Sequence, residues 1–453
     1  MKRLQNCIVW AVTMTTFGSG LINLYSVVGP GLPERMQVLR ELFPMEFLHL
    51  ARFLTLLIGF ALVLSSLHVR RRKTRAFRVV CLLACLSVAF HLTKSLDYAE
   101  AGFSMGLLVL LILSRRSFDK PVVYRFSTLP QERAKAEAIV RRHSTTTQDF
   151  FKIWPDKSFF FSDSGNSFLA YRVSNSFAVV LGDPVGPPEE LREIIEKFWR
   201  FCKMNDWGVA FHQATSRALG VYRQLGFRKL KVGDDAIVDL KSFTLNGKAH
   251  KDVRTKFNQL EKDGIHAVHY PPPVSAEVLN DMKEVSDEWL QIPGRHERGF
   301  TLGQFDPHYV GHTHVLAARD SQGQMLAFLN LVPSFKKGET TVDLMRRRAT
   351  APNGVMDYLF GKVFLELKEE GYERFNLGLA PMAGFQADEH ASLGERIIHR
   401  AFQHMNFLFS FSGLGAYKAK FASWWETRYV VYRSLRDLPR MAIALGKVSA
   451  IES

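Results

Sequence analysis

Apolar residues are crowded into the first quarter of this chain. Four predominantly apolar runs, at residues 4–28, 47–69, 79–96 and 98–113, predict a membrane region of about four helices over residues 1–114, because a helix needs about 20 such residues to cross a hydrocarbon core. The last run is short for that task. Lys2 and Arg3 ahead of the first run also suit a cleaved leader, but the later runs favour an uncleaved anchor. From about residue 115 the pattern changes to short apolar stretches alternating with segments of helical spacing. That alternation predicts an α/β or α+β region with room for two folded units.

In the first unit, 115–240, strands are expected at 167–173, 177–181 and 207–212. Gly182-Asp183-Pro184-Val185-Gly186-Pro187-Pro188 marks a turn into a helix over 189–204, where Leu191, Ile194, Ile195, Phe198 and Phe201 recur at helical spacing. The second unit, 267–453, is expected to contain strands at 317–319, 325–332 and 340–345, a helix over 355–370 and a strand at 375–379. Gly323 marks a hairpin turn between the first two strands. Residues 241–266 link the units as a basic helix, with six Lys and Arg against two acids over 241–262. Lys251, Arg254, Asn258 and Lys262 share one face, and Val253, Phe257 and Leu260 another. A solvated charged face and a phosphate-binding face fit this pattern equally.

Charge narrows the class of partner. The 453 residues hold 59 Lys and Arg against 44 Asp and Glu, a balance that favours nucleic acid or an anionic membrane surface without choosing between them. Arg70-Arg71-Arg72-Lys73, Arg75 and Arg78 follow the second apolar run, and Arg115, Arg116 and Lys120 the fourth, whereas Asp97 and Glu100 occupy the alternate loop. The positive-inside rule then puts both termini in the cytoplasm. The four cysteines, Cys7, Cys81, Cys85 and Cys202, have neither disulfide nor zinc spacing, and His312 with His314 lacks a third metal ligand.

Asp343 and Arg346 sit three apart at the end of an expected strand, where a turn of the chain would bring both to one cleft. A salt bridge pinning a loop explains the spacing as well. Asp357 at a helix start also serves as a cap, Asn353-Gly354 as a turn, and Glu297 as a solvated charge. The chain contains no His-Glu-x-x-His, no Gly-x-Ser-x-Gly and no phosphate loop ending in Gly-Lys-Ser/Thr. The loop with which acetyl-coenzyme A enzymes cradle pyrophosphate is also missing, and the nearest glycine turn, 182–186, carries Asp183, which would repel a phosphate.

Two sets of sequence words carry a family resemblance. Ala218-Leu219-Gly220-Val221-Tyr222-Arg223-Gln224-Leu225-Gly226-Phe227 resembles the late helix-to-strand segment of GCN5-related acyltransferases. Asp343-Leu344-Met345-Arg346, Ala351-Pro352-Asn353-Gly354-Val355-Met356-Asp357 and Phe375-Asn376-Leu377-Gly378-Leu379-Ala380-Pro381 resemble the soluble catalytic domain of aminoacyl-phosphatidylglycerol synthases, the multiple peptide resistance factor family. Val285-Ser286-Asp287-Glu288-Trp289-Leu290, the stretch 297–306, the stretch 409–421, and Trp425-Glu426 with Arg428-Tyr429 extend the likeness over about 179–429. Phe409-Ser410 stands where the family has Tyr-Asn, and Ser423 replaces a proline, which bears on substrate identity.

The resemblance implies a duplicated GCN5-related N-acyltransferase-like fold joined by the basic helix, and transfer of an aminoacyl group from tRNA to phosphatidylglycerol at the cytoplasmic membrane. It implies a catalytic pair, with Asp343 at the substrate ammonium or the attacking hydroxyl and Arg346 at a phosphate through its paired donors. Asn353, Asp357, Glu297, Lys418, Lys420 and Arg428 are then substrate contacts, and Lys248, Lys251 and Arg254 contact tRNA. An aminoacyl ester is already activated, so the reaction needs positioning, a proton acceptor and oxyanion stabilisation, with no metal or cofactor. Lysine is the favoured amino acid, with alanine and arginine as alternatives; adding lysine would reverse the lipid's charge and weaken attraction for cationic peptides. With about four spans, the chain is expected to synthesise the lipid without flipping it. Coenzyme A-dependent acyl transfer and a non-catalytic membrane scaffold are the competing readings. Trp425, among other aromatics, is expected in a core.

Overall fold

The computed structural model describes residues 2–28, 45–70, 74–95, 98–115, 128–247, 250–381 and 412–450. They fall into two units, Met1–Val123 and Tyr124–Ser453.

Four helices, Lys2–Val28, Met45–Arg70, Thr74–Ser95 and Tyr98–Ser114, make up the first unit. Its polarity is inverted relative to a water-soluble bundle. Trp10, Phe17, Leu21, Phe53, Leu64 and Ile112 are 40–64% exposed, whereas Thr16, Asn23, Ser87 and Ser104 are buried. Asn23 and Ser87 exchange hydrogen bonds of 2.9 and 3.0 Å, and the Ser87 and Ser104 hydroxyls lie 2.9 Å apart. Such interhelical bonds contribute about 1 kcal/mol each within a bilayer. Gly20 and Gly59 let the first two helices touch: a Cβ on Gly20 would lie 2.9 Å from the Gly59 carbonyl oxygen. Of the four expected spans, Cys7–Val27 and Phe53–Arg70 are long and apolar enough to cross a membrane, and Ala76–His91 and Tyr98–Ser114 are shorter apolar helices.

The second unit is built on one mixed sheet. Its strands are β1 (Ser158–Phe161), β2 (Phe168–Ser174), β3 (Phe177–Leu181), β4 (Gly208–Thr215), β5 (Arg228–Asp239), β6 (His266–Tyr270), β7 (His314–Arg319), β8 (Met325–Val332), β9 (Glu339–Arg347), β10 (Arg374–Pro381) and β11 (Trp424–Tyr432), in the order β1-β2-β3-β4-β11-β5-β10-β9-β8-β7-β6. Only β3 with β4 and β9 with β10 run parallel. Each parallel pair is joined by a helix, Leu191–Met204 in the first case and Val355–Glu369 in the second. An antiparallel run leading into a helix-linked parallel pair therefore occurs twice, which is the duplicated acyltransferase-like arrangement.

Hydrophobic periodicity explains the crossovers. Ile194, Ile195, Phe198 and Cys202 line the buried face of the first crossover helix and pack on Ala178, Val180, Val209 and Phe211. The wholly buried β3 sits in mid-sheet, as a continuous apolar run should. The basic helix, Lys251–Lys262, buries Val253, Phe257 and Leu260 against Tyr358, Leu359 and Val363 of the second crossover helix. Full burial of one such side chain is worth roughly 1.5–3 kcal/mol.

Linear and spatial order part at the C-terminus. Strand β11 pairs with β4 and β5, and the last helix, Leu438–Ser449, packs Leu438, Met441, Ala444 and Val448 on Phe177, Val179 and Leu181 of β3. The end of the chain thus completes the first half of the sheet. Sequence periodicity located β2, β3, β4, β7, β8, β9 and β10 but not β1, β5, β6 or β11. Strand β5 carries Lys229, Lys231, Asp234 and Asp235, so no continuous apolar run marks it. Trp425, expected in a core, is 38% exposed on β11.

Candidate active site

The second parallel pair opens at its carboxyl ends. Ladder pairing between β9 and β10 stops at Thr341 and Asn376. Just beyond, β9 bulges at Asp343-Leu344 opposite Asn330, whose side-chain oxygen accepts the Leu344 N–H at 2.8 Å. Strand β10 bulges at Leu377-Gly378 opposite Ala236, with Gly378 at φ 81°, a conformation that glycine adopts without strain. The strands diverge around a cavity of about 580 Å³ with mostly apolar walls, lined among others by Asp343, Asn376, Asp235 and Lys418.

The β9 bulge also answers how two residues three apart can serve one layer. Asp343 Oδ1 accepts the Gly303 N–H at 3.0 Å, and Oδ2 accepts the Tyr309 hydroxyl at 3.0 Å. Burial pushes the Asp343 carboxyl up to about 6, against the opposing pull of the Gly303 and Tyr309 hydrogen bonds and the Arg346 charge; the Glu297 charge adds to the rise. Arg346 turns to the same layer, which consists of helix Ala276–Gln291 and the loop after it. Its guanidinium donates to Ser286, donates to Glu297 Oε1 at 2.5 Å, and lies 5.0 Å from the centre of the Trp289 ring. Glu297 Oε1 also accepts the Phe305 N–H at 2.9 Å. Arg346 is 3% exposed and does not line the cavity. The expected phosphate contact therefore meets a guanidinium whose donors already hold the loop that carries Gly303.

Arg428, behind the far wall, donates to the cavity-lining Asp235 Oδ2 through Nε at 2.8 Å and pairs through Nη2 at 2.7 Å, while the Asn376 amide donates to the same oxygen at 3.1 Å. Lys418, on helix Ser412–Ala419, donates to the Leu379 carbonyl at 2.8 Å. Burial lowers its ammonium to about 8, opposed by the Asp235 charge.

The family model for phosphatidylglycerol lysyltransferase, C-terminal, matches residues 136–432. The chain belongs to this family. The phosphatidylglycerol lysyltransferase of Bacillus subtilis is 38% identical over 285 residues, 62% of this chain and 33% of that protein. The phosphatidylglycerol lysyltransferase of Staphylococcus epidermidis is 30% identical over 403 residues, 88% and 46% of the two chains. This chain therefore spans about a third to a half of the length of these relatives. The structure of L-PGS from Bacillus licheniformis, 33% identical, matches with a TM-score of 0.63 over 70% of this chain and 95% of that one.

The remaining family words scatter around the cavity. Asp357, in the first turn of Val355–Glu369, is buried and lies 3.2 Å from Lys420 and 3.9 Å from Lys256. Asn353 is exposed on the preceding turn, where Gly354 has φ 92°. None of Asn353, Asp357 and Lys420 lines the cavity. On the basic helix, Arg254 donates to the carbonyls of Leu245 at 2.8 Å and Gly247 at 3.0 Å, while Lys251 is exposed. Lys248 lies outside the described residues. Tyr309, Asp235 and Asn376 escaped sequence reading: Asn376 sat inside a recognised word without a role, and Tyr309 and Asp235 lay outside every word.

Proposed function

We propose that this chain is a membrane-bound aminoacyltransferase that moves an amino acid, lysine favoured, from aminoacyl-tRNA to a glycerol hydroxyl of phosphatidylglycerol. The observation that carries the reading is Asp343, a cavity-lining carboxyl pushed up to about 6. Near neutral pH it is ionised, yet basic enough to accept the lipid hydroxyl's proton as that oxygen attacks the ester carbonyl. Gly303 and Tyr309 aim it, and Arg346 with Glu297 positions the loop that supplies Gly303. The names of the relatives support lysine as the transferred group and phosphatidylglycerol as the acceptor.

In this reading residues 1–114 form a multi-pass anchor in the cytoplasmic membrane with the catalytic unit on the cytoplasmic side. Residues 115–240 and 267–453 are the two acyltransferase-like halves, linked by the basic helix at 241–266. The outward apolar side chains of the first unit support the anchor. Lys248, Lys251 and Arg254 are assigned to tRNA, and Asn353, Asp357, Lys420 and Arg428 to the ends of the substrates or the frame that holds them.

The test is to incubate the full chain in phosphatidylglycerol vesicles with charged tRNAs, each bearing a labelled amino acid, and to extract the lipid for mass spectrometry. Labelled lysyl-phosphatidylglycerol is expected. No labelled lipid from any charged tRNA, with the protein folded, overturns the proposal.

A further inference from the structure

Transfer of an ester moves two protons, and Asp343 accounts for one. When the lipid oxygen adds to the carbonyl carbon its proton leaves. When the tetrahedral centre collapses, the bond from that carbon to the ribose oxygen breaks, and the departing alkoxide needs a proton. An alkoxide is a poor leaving group, so a positioned donor at that oxygen speeds the step.

We propose that Lys418 is that donor, giving an Nζ proton to the departing ribose oxygen of the tRNA end. The proposal rests on the aminoacyl transfer proposed above. Lys418 lines the same cavity as Asp343, approaching from helix Ser412–Ala419 beside the bulge of β10. It is 5% exposed, and among the described residues its ammonium makes one hydrogen bond, to the Leu379 carbonyl. That bond occupies one of its three protons and aims the stem. No carboxylate among the described residues lies within ion-pair distance of it, unlike Arg428 and Lys420, which are held by Asp235 and Asp357.

The chemistry balances. Asp343 takes the glycerol proton, the bond from the glycerol oxygen to the acyl carbon forms, and the bond from the acyl carbon to the ribose oxygen breaks as Lys418 supplies a proton to that ribose oxygen. Both groups return to their starting states by exchange with solvent. Burial helps: an amine lowered to about 8 is still protonated at neutral pH and gives up its proton more readily than an exposed lysine. Asp343 titrates near 6 and Lys418 near 8, so the rate should rise through the lower value, as the base ionises, and fall through the higher one, as the acid is lost.

The experiment compares the full chain and Lys418→Met in phosphatidylglycerol vesicles with two donors, lysyl-tRNA and the 4-nitrophenyl ester of lysine, whose phenolate departs without protonation. Lys418→Met should lose roughly 10²- to 10⁴-fold in kcat with lysyl-tRNA and far less with the activated ester, while Asp343→Asn loses with both. Equal losses of Lys418→Met on both donors, or undiminished transfer from lysyl-tRNA, overturn the assignment. Should the unsubstituted protein not accept the activated ester, the alkaline limb near pH 8 decides: its loss in Lys418→Met supports the donor role, and its persistence refutes it. Lack of transfer from every charged tRNA by the unsubstituted protein would instead overturn the function itself.

Discussion

The two halves of the sheet carry the same opening and use it in opposite ways. In each, a helix-linked parallel pair runs out of ladder at its carboxyl end. Beyond Leu181 the first opening is filled by side chains around Asp183, and only its edge, at His212 and Gln213 of β4, borders the cavity. Asp183 accepts the Thr215 N–H at 2.9 Å, the Thr215 hydroxyl at 2.7 Å and the Tyr222 hydroxyl at 3.1 Å. Lys152, paired with Asp149 at 2.7 Å, donates to the Asp183 carbonyl. In the second half two facing bulges keep the strands apart, and the gap remains a cavity. Asp183 and Asp343 are both pushed up by burial, but Asp183 spends its acceptors tying β3 to β4, whereas Asp343 is held from one side and lines open space. A perturbed carboxyl is thus a site candidate only where the backbone leaves room for a substrate.

The largest effect should separate the two aspartates. Asp343→Asn is expected to lower transfer from lysyl-tRNA by roughly 10²- to 10⁴-fold, read as kcat. Asp183→Asn, remote from the reacting groups, should leave most of the turnover. The sign of the pH dependence sharpens the contrast. Asp343 binds its proton more tightly folded than unfolded, so its stabilising contribution is full below the ordinary value of 3.8 and is lost as pH rises through about 6. Asp343→Asn should therefore melt higher than the unsubstituted protein above pH 6 while transferring less. A lower melting temperature there would contradict the account.

Next comes Lys152→Ala, which leaves the buried Asp149 carboxylate without its counter-ion but still accepting from Ser144, Thr145 and Thr146, and should cost roughly 3 kcal/mol in chemical unfolding. Little loss would mean that the first opening is not held by this pair. Gly303→Ala is expected to reduce turnover with a smaller stability cost, because a Cβ there would overlap the Asp343 carboxylate and meet Tyr309 at 3.0 Å. Unchanged kcat would show that the Gly303 contact does not aim the base. The smallest effect belongs to Tyr309→Phe. Removing a hydrogen bond that favours ionised Asp343, worth about 1 kcal/mol, should move the acid limb of the pH profile above its position near 6. A limb that stays or moves down would deny the Tyr309 bond that role.

Much of this was legible in the chain. Predominantly apolar runs located β3 and β8 to the residue, because nearly every side chain of these two strands is buried. The Asp-Leu-Met-Arg word singled out Asp343, which lines the cavity, but it could not say that Arg346 would be consumed by Glu297, Ser286 and Trp289, since those partners come from 49 to 60 residues away. Strand β5 was hidden because its Asp234 and Asp235 are satisfied by Thr427, Asn376 and Arg428 of β10 and β11, 141 to 193 residues further on.

The sequence by itself determined the apolar helices of the first unit, the helix-linked strand pairs, the family and the choice of Asp343 as a candidate residue. These depend on local periodicity and on residue types, which are written in order along the chain. Only the tertiary structure decided that one opening is closed and the other open, that β11 returns to the first half, and that Lys418 faces the same cavity as Asp343. Those outcomes depend on bulge positions and on which distant groups meet in the interior, where each buried polar atom must find a partner or a cavity.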